Sequence, residues 1–341
     1  MRGIEWMPAA GWLALVGALA AAGAWLARRH ALRRGLLDLP GERRSHATPT
    51  PRGGGIGIVL AWLGAILALA TAGVLPGPLA LAVVAGGALV GGAGFADDHR
   101  PLSPWWRLAA HVAAGLLLGA GLWSSGAAPW LAAGAALAVP IMVNVWNFMD
   151  GIDGLAASQA ALAAGGFAWL GGAPAAAWPA AALAAACLGF LPFNFPSARI
   201  FLGDVGSGLL GYALVVPAAL LLEGREPAGA AALLPVLFLP LSAFLLDATL
   251  TLGRRIVRGE RWWTAHVGHA YQRLAARGGS HVPVTLAYAA WTVAAVAVAG
   301  FSMRWGAGLR MAAAAGCAAL GILAWRMAMV VSCPPQQKDR R

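Results

Sequence analysis

Long apolar runs, separated by short segments rich in Arg, Asp, Gly and Pro, fill this chain from end to end. Windows of about 17 to 25 apolar residues cross a bilayer as helices, since a helix satisfies its own backbone hydrogen bonds in lipid. Eleven such windows are expected, at 8–27, 55–74, 78–95, 105–123, 130–148, 155–170, 175–191, 205–222, 230–252, 282–301 and 306–328. The sixth and seventh are Ala-rich and joined only by Gly171-Gly172-Ala173-Pro174. The first has the look of a signal peptide, but Arg28, Arg29, Arg33 and Arg34 directly after it read as a cytoplasmic stop rather than a cleavage site.

Composition agrees with an all-α, polytopic membrane protein of about eleven transmembrane helices. The chain is 60% hydrophobic and only 11% charged, with a mean hydropathy of +0.71, and holds no polar stretch long enough for a separate soluble domain. Residues 1–341 therefore form a single integral membrane domain with a short tail at about 330–341. Cys187, Cys317 and Cys333 form no CxxC pair and lie in or beside apolar windows, which points to packing rather than to disulfides or metal. A formal charge of +11 in a soluble protein suggests nucleic acid; here the basic residues lie in loops between windows, and no nucleic acid is expected.

Those basic residues orient the chain. With loops alternating between two faces, every Arg and Lys except Arg2, Arg225, Arg304 and Arg310 falls on one side. The positive-inside rule makes that side cytoplasmic, with the N-terminus outside and the C-terminus inside. Asp97, Asp98, Asp150, Asp153, Asp204 and Asp247 then share the cytoplasmic face, although acids took no part in the assignment. Clustered carboxylates at a membrane are costly unless a cation or a proton joins them, which places a metal-dependent active site on that face.

Each loop adds detail. The first, from Asp38 to Gly57, is turn-rich and basic, with Arg52 before Gly53-Gly54-Gly55. Its amides and Arg52 can hold phosphate, or its arginines can anchor to anionic lipid while the glycines admit close helix packing. Asp97-Asp98 closes the third window; adjacent carboxylates repel, so the pair calls for a cation or shared proton unless it is simply solvated. Asn144, Asn147 and Asp150 recur every three residues and share a helix stripe, followed by Gly151, Asp153 and Gly154. Asp204 and Ser207 suit either an N-cap of the eighth helix or a phosphate and metal site at its positive end. Asp247 is expected to pair with Arg254 and Arg255. The last loop carries Trp262, Trp263, His266, His269 and Arg273; the histidines lack a second pair with zinc spacing, and the aspartates favour Mg²⁺ or Mn²⁺. The histidines and Arg273 then read as phosphate contacts or a proton donor near a leaving group.

Together, Asp97-Asp98, Asn144-x-x-Asn147-x-x-Asp150-Gly-Ile-Asp153-Gly-Leu-Ala, Phe201-Leu-Gly-Asp204-x-Gly-Ser207 and the His-rich last loop resemble the polyprenyl-phosphate N-acetylhexosamine-1-phosphate transferases. These are relatives of the phospho-MurNAc-pentapeptide translocases, and the resemblance runs in order from about Asp38 to Arg273. His266-Val-Gly-His269-Ala-Tyr-Gln-Arg273 is most similar to the branch that starts O-antigen or enterobacterial common antigen, except that Val267-Gly268 replaces the Arg-Ser usual there. The resemblance implies transfer of a sugar 1-phosphate from a UDP-N-acetylhexosamine to undecaprenyl phosphate, with release of UMP, at the inner face of the bacterial cytoplasmic membrane. It implies Mg²⁺, with Mn²⁺ as substitute, held by Asp204 with Asp98 as helper, and a homodimer in the lipid bilayer. It further implies catalytic roles for Asp97, Asp98 and His269, and substrate contacts from Arg52, Asn144, Asn147, Asp150, Asp153, Ser207, His266 and Arg273. A transporter using intramembrane carboxylates is the rival from another class, but such proteins place charges near mid-bilayer in two related halves, and no internal repeat occurs here.

Overall fold

The computed structural model describes residues 9–38, 48–260 and 267–331. Its helices are α1 (Ala9–Arg34), α2 (Ile56–Thr71), α3 (Gly77–His99), α4 (Pro104–Ser124), α5 (Pro129–Met149), α6 (Leu155–Leu170) and α7 (Pro174–Asn194), then α8 (Gly203–Leu222), α9 (Pro227–Phe238), α10 (Ser242–Val257), α11 (Ala270–Gly278), α12 (Val282–Ser302) and α13 (Ala307–Val331). A two-residue antiparallel pairing, Leu37–Asp38 with Thr50–Pro51, ties the first loop to itself. Proline sits in the first turn of α3, α4, α5, α7, α9 and α12, where its missing N–H is no loss and its fixed φ favours the helix.

The fold is an all-α membrane bundle. Every expected window is helical, and nine stretches among the described residues are long and apolar enough to cross a membrane, with α2 and α6 shorter. One window differs in form. The stretch 230–252 is not one helix: α9 ends at Phe238 and a 3₁₀ turn, Leu239–Leu241, leads into α10. Pro240 lacks an amide hydrogen and crowds the preceding turn, so the α-ladder breaks there, and the Ser242 hydroxyl donates to the Leu239 carbonyl at 2.7 Å to close the gap. Helix α3 also continues past its expected end at residue 95, so Asp97 and Asp98 stand on its last turn.

Helix α8 is the shaft of the bundle, with 94% of its apolar window buried, against 17% for α1 and 6% for α13. Lipid tails give apolar helices no reason to prefer one another, so close association relies on small residues that let backbones touch. A methyl group at Gly94 of α3 would overlap the Asp204 carbonyl of α8, and one at Gly211 of α8 would overlap the Met142 carbonyl of α5. Gly55, at the start of α2, meets Gly206 of α8 in the same way. These contacts draw the last turns of α3 and α5 and the first turn of α8 to one end of the bundle.

Candidate active site

At that end, Arg107 on the first turn of α4 joins three helices. Its Nη1 lies 2.9 Å from Asp97 Oδ2 and 3.4 Å from Asp204 Oδ2, and its Nη2 donates to Asn147 Oδ1 at 3.1 Å. Asn147 in turn donates from Nδ2 to Asp204 Oδ1 at 2.9 Å and to Ser207 Oγ at 3.3 Å. Asp97 also accepts the Leu102 amide at 2.6 Å, which fixes the turn between α3 and α4. The charge of Arg52 faces Asp97 and Asp98 from the first loop. Arg107 was absent from the residues expected from sequence; its spacing from Asp97 across a Pro-containing turn was the available signal.

Asp98 does something different from its neighbour. Its two oxygens accept the backbone amides of Asp204 and Val205 at 3.1 and 3.2 Å, and the side chain is buried. Those amides are unpaired donors of the first turn of α8, so Asp98 caps that helix from across the interface with two charge-assisted bonds of about 1.5–3 kcal/mol each. Asp98 thereby anchors the start of α8, and Asp97 stands beside Asp204 with the Arg107 guanidinium in reach of both.

Two expected members of the stripe on α5 diverge as well. Asn144 turns its amide back to the Pro140 carbonyl at 2.7 Å, a turn away from Asn147. Asp150, just beyond the last turn of α5, faces inward, where burial first and then the carboxylates of Asp204, Asp98 and Asp153 push it up to about 8. With its folded value above the ordinary 3.8, Asp150 keeps its proton at a pH where the unfolded chain has lost it. The metal-free fold is thus expected to lose stability as pH rises through this window. A divalent cation favours the carboxylate and expels the proton, so Mg²⁺ affinity is expected to rise between about pH 6 and 8, by up to about tenfold per unit. Calorimetric titration in two buffers of different ionisation enthalpy measures the released proton; an affinity indifferent to pH would remove Asp150 from the cation's surroundings.

Asp153 belongs to a neighbouring compartment. Its Oδ2 accepts the Ala198 amide at 3.1 Å and lies 3.3 Å from His281 Nδ1, while its carbonyl accepts the Thr285 hydroxyl at 2.8 Å. Gly154, at φ +74°, makes the turn that a side chain would strain, and donates its amide to Asn194 Oδ1 at 2.9 Å. Asp153, His281, Thr48, Thr50, Ser197 and Phe201 line a cavity of about 270 Å³. Its hydroxyls, carboxylate, imidazole and aromatic ring suit a polar, planar ligand. His281 and Asn194 had no assigned role from sequence, for their partners are remote in the chain.

The glycines of the first loop resolve to packing. Gly54 and Gly55 donate their amides to the Phe201 and Leu202 carbonyls at 2.9 and 2.8 Å, so these donors are used within the fold. In the last loop, His266 lies outside the described residues. His269 precedes α11 and is 3% exposed, with Nδ1 3.6 Å from Asp247 Oδ1, so its ring is not presented to the site surface. Arg273, one turn along α11, has a buried Nε without a hydrogen-bond partner among the described residues.

Among the described residues no three His, Cys, Asp or Glu side chains converge as a closed metal cage. Mg²⁺ does not ask for one: it is ordinarily held by one or two carboxylates, with waters and substrate phosphates completing the octahedron. Asp97, Asp204, Asn147 and Ser207 form an all-oxygen donor set whose negative charge, swollen by Asp98, exceeds what Arg107 and Arg52 offset. The residues fit a hard divalent cation.

Comparison with known proteins follows the same lines. The model for glycosyl transferase family 4 matches residues 80–222. Decaprenyl-phosphate N-acetylglucosaminephosphotransferase of Mycobacterium tuberculosis is 34% identical over 82% of this chain and 80% of its own length. A probable undecaprenyl-phosphate N-acetylglucosaminyl 1-phosphate transferase of Bacillus subtilis is 28% identical over 75% and 74%. Phospho-N-acetylmuramoyl-pentapeptide-transferase of Heliobacterium modesticaldum is 32% identical over 75% and 83%. The family block contains Asp97, Asp98, Arg107, Asn147, Asp150, Asp153 and Asp204, and ends before Asp247, His269 and Arg273.

Proposed function

The chain belongs to glycosyl transferase family 4, and from that premise we propose that it moves N-acetylglucosamine 1-phosphate from UDP-N-acetylglucosamine to undecaprenyl or decaprenyl phosphate, releasing UMP. This is the lipid-linked first step of an envelope glycan, carried out with Mg²⁺ at the cytoplasmic side of the bacterial cytoplasmic membrane. The observation that carries the reading is the Arg107–Asp97–Asp204–Asn147 constellation beside a polar cavity. N-acetylglucosamine is preferred as donor because the mycobacterial and Bacillus relatives are named for it.

Both substrates are anions, so the barrier is largely electrostatic. Asp204 and Asp97 would hold Mg²⁺, which when bound neutralises phosphate oxygens and polarises the phosphorus under attack. Asn147 keeps Asp204 in place, Asp98 fixes the start of α8 beneath it, and Arg107 balances the two carboxylates. The uridine end of the donor would lie in the cavity beside Asp153, with Phe201 offering a ring face. An oxygen of the lipid phosphate then attacks the β-phosphorus in line; a new P–O bond forms, and the bond to the bridging oxygen breaks with its electron pair leaving on UMP. Arg52 and Arg273 would meet phosphate oxygens, and the buried His269 would act through α11 rather than by contact.

Purified protein in detergent, given Mg²⁺, undecaprenyl or decaprenyl phosphate and a panel of UDP-N-acetylhexosamines, tests this. UMP release is expected with UDP-N-acetylglucosamine and to cease on chelation. Release with another donor alone would replace the sugar but keep the reaction, and silence across the panel from folded protein would overturn it.

A further inference from the structure

Asp247 takes no part in the constellation above, yet it is 3% exposed and accepts from four donors. Oδ1 takes the Ala270 amide at 2.9 Å and the Thr251 hydroxyl at 3.1 Å; Oδ2 takes the Tyr288 hydroxyl at 2.7 Å and the Tyr271 amide at 3.2 Å. The arginines expected to pair with it go elsewhere: Arg255 Nε donates to Glu260 Oε2 at 2.9 Å, and Arg254 Nη1 lies 3.0 Å from the Met329 sulfur. A carboxylate at this depth persists because each lone-pair direction has a donor.

The donors show what the carboxylate is for. Ala270 and Tyr271 open α11, and their amides have no partner inside that helix, so Asp247 fixes its first turn and complements its positive end. Fixing the turn fixes the Tyr271 ring, which is fully buried and stacks on His269 with centroids 5.8 Å apart. The Tyr271 hydroxyl reaches the end of α5 and donates to the Phe148 carbonyl at 3.0 Å, with Gly151 close against it because a methyl group there would overlap the oxygen. Phe148 directly follows Asn147, the residue that links Arg107 to Asp204.

We propose that Asp247 is a positioning residue, seating α11 so that Tyr271 braces the end of α5 and sets Asn147 against Asp204 and Arg107. The kinetic part of this inference rests on the sugar-phosphate transfer reading; the structural part does not. The Asp153 loop has bonds of its own, to Ala198, His281 and Thr285, so loss of Asp247 is expected to lower turnover more than nucleotide-sugar affinity.

The test compares wild type, Asp247→Asn and Tyr271→Phe by amide hydrogen exchange and by steady-state kinetics. Asn keeps the size but turns an NH₂ toward N–H and O–H donors, whereas Phe removes only the bond to Phe148. Peptides over 144–152 should exchange about tenfold faster in Asp247→Asn and about threefold faster in Tyr271→Phe, with 196–202 unchanged. The kcat should fall about thirtyfold and fivefold respectively, with the KM for the nucleotide sugar within about threefold of wild type. Unaltered exchange at 144–152 in folded Asp247→Asn, or loss of protection along the whole chain with KM and kcat moving together, would overturn the proposal. If Asp247→Asn does not fold, Tyr271→Phe decides alone, and its silence is equally fatal. Should wild type turn over no donor, the transfer reading fails while the exchange arm still judges the brace.

Discussion

Asp204→Ala is expected to lower sugar-phosphate transfer by at least about a thousandfold. Deleting one preorganised electrostatic group from a site of this kind costs about 10²–10³ in kcat, and here the same carboxylate would hold the cation and receive the Asn147 amide. The Arg107 guanidinium, 3.4 Å away, would be left with Asp97 alone, and the donor set for Mg²⁺ would fall to one carboxylate. Uridine nucleotide binding should survive, because Asp153, Phe201 and His281 line a separate cavity. UMP release and equilibrium binding of UMP, measured on the same preparation, distinguish the two effects. Activity within tenfold of wild type would remove Asp204 from the centre of the chemistry.

Gly94→Ala should be nearly as damaging, from a residue with no functional group. The added methyl has backbone rather than a flexible side chain in its way, namely the Asp204 carbonyl, so α3 and α8 must part. Overpacking of this kind costs about 1–3 kcal/mol. That parting also pulls Asp97 and Asp98 from Asp204, and a displacement near 1 Å costs about a hundredfold in rate. The expected signature is a kcat at least about a hundredfold down with a thermal midpoint lowered by only about 2–10 °C. Gly92→Ala, two residues back and facing open space, should leave both unchanged. Equal behaviour of the two variants would show that the contact does not set the geometry.

Much of this was legible in the sequence for a simple reason: lipid imposes length and apolarity on each span. Ten of the eleven windows are single helices and the other is two, and alternation alone brings Asp97, Asp98, Asp150 and Asp204 to one end. What escaped were bonds between distant segments. Nothing local marks Asp98 as a cap for α8, since the amides it receives come from Asp204 and Val205. Periodicity put Asn144 in the stripe with Asn147, but the Pro140 carbonyl one turn back claimed its side-chain amide. Nearby arginines made a plausible partner for Asp247, while two of its four actual donors, the Ala270 and Tyr271 amides, lay more than twenty residues on, in a helix too short and polar to stand out. The break between α9 and α10 was signalled by Pro240 but masked by the continuous apolarity around it.

The enclosure of α8 separates two kinds of work. Helices at the rim, α1 and α13 above all, meet the acyl chains and adjust their tilt when bilayer thickness changes. The helix that carries Asp204 meets almost none of them. A thinner membrane is therefore expected to tilt the rim and leave the arrangement around Asp204 as it is: the outer helices take up the strain and the inner one keeps the tool.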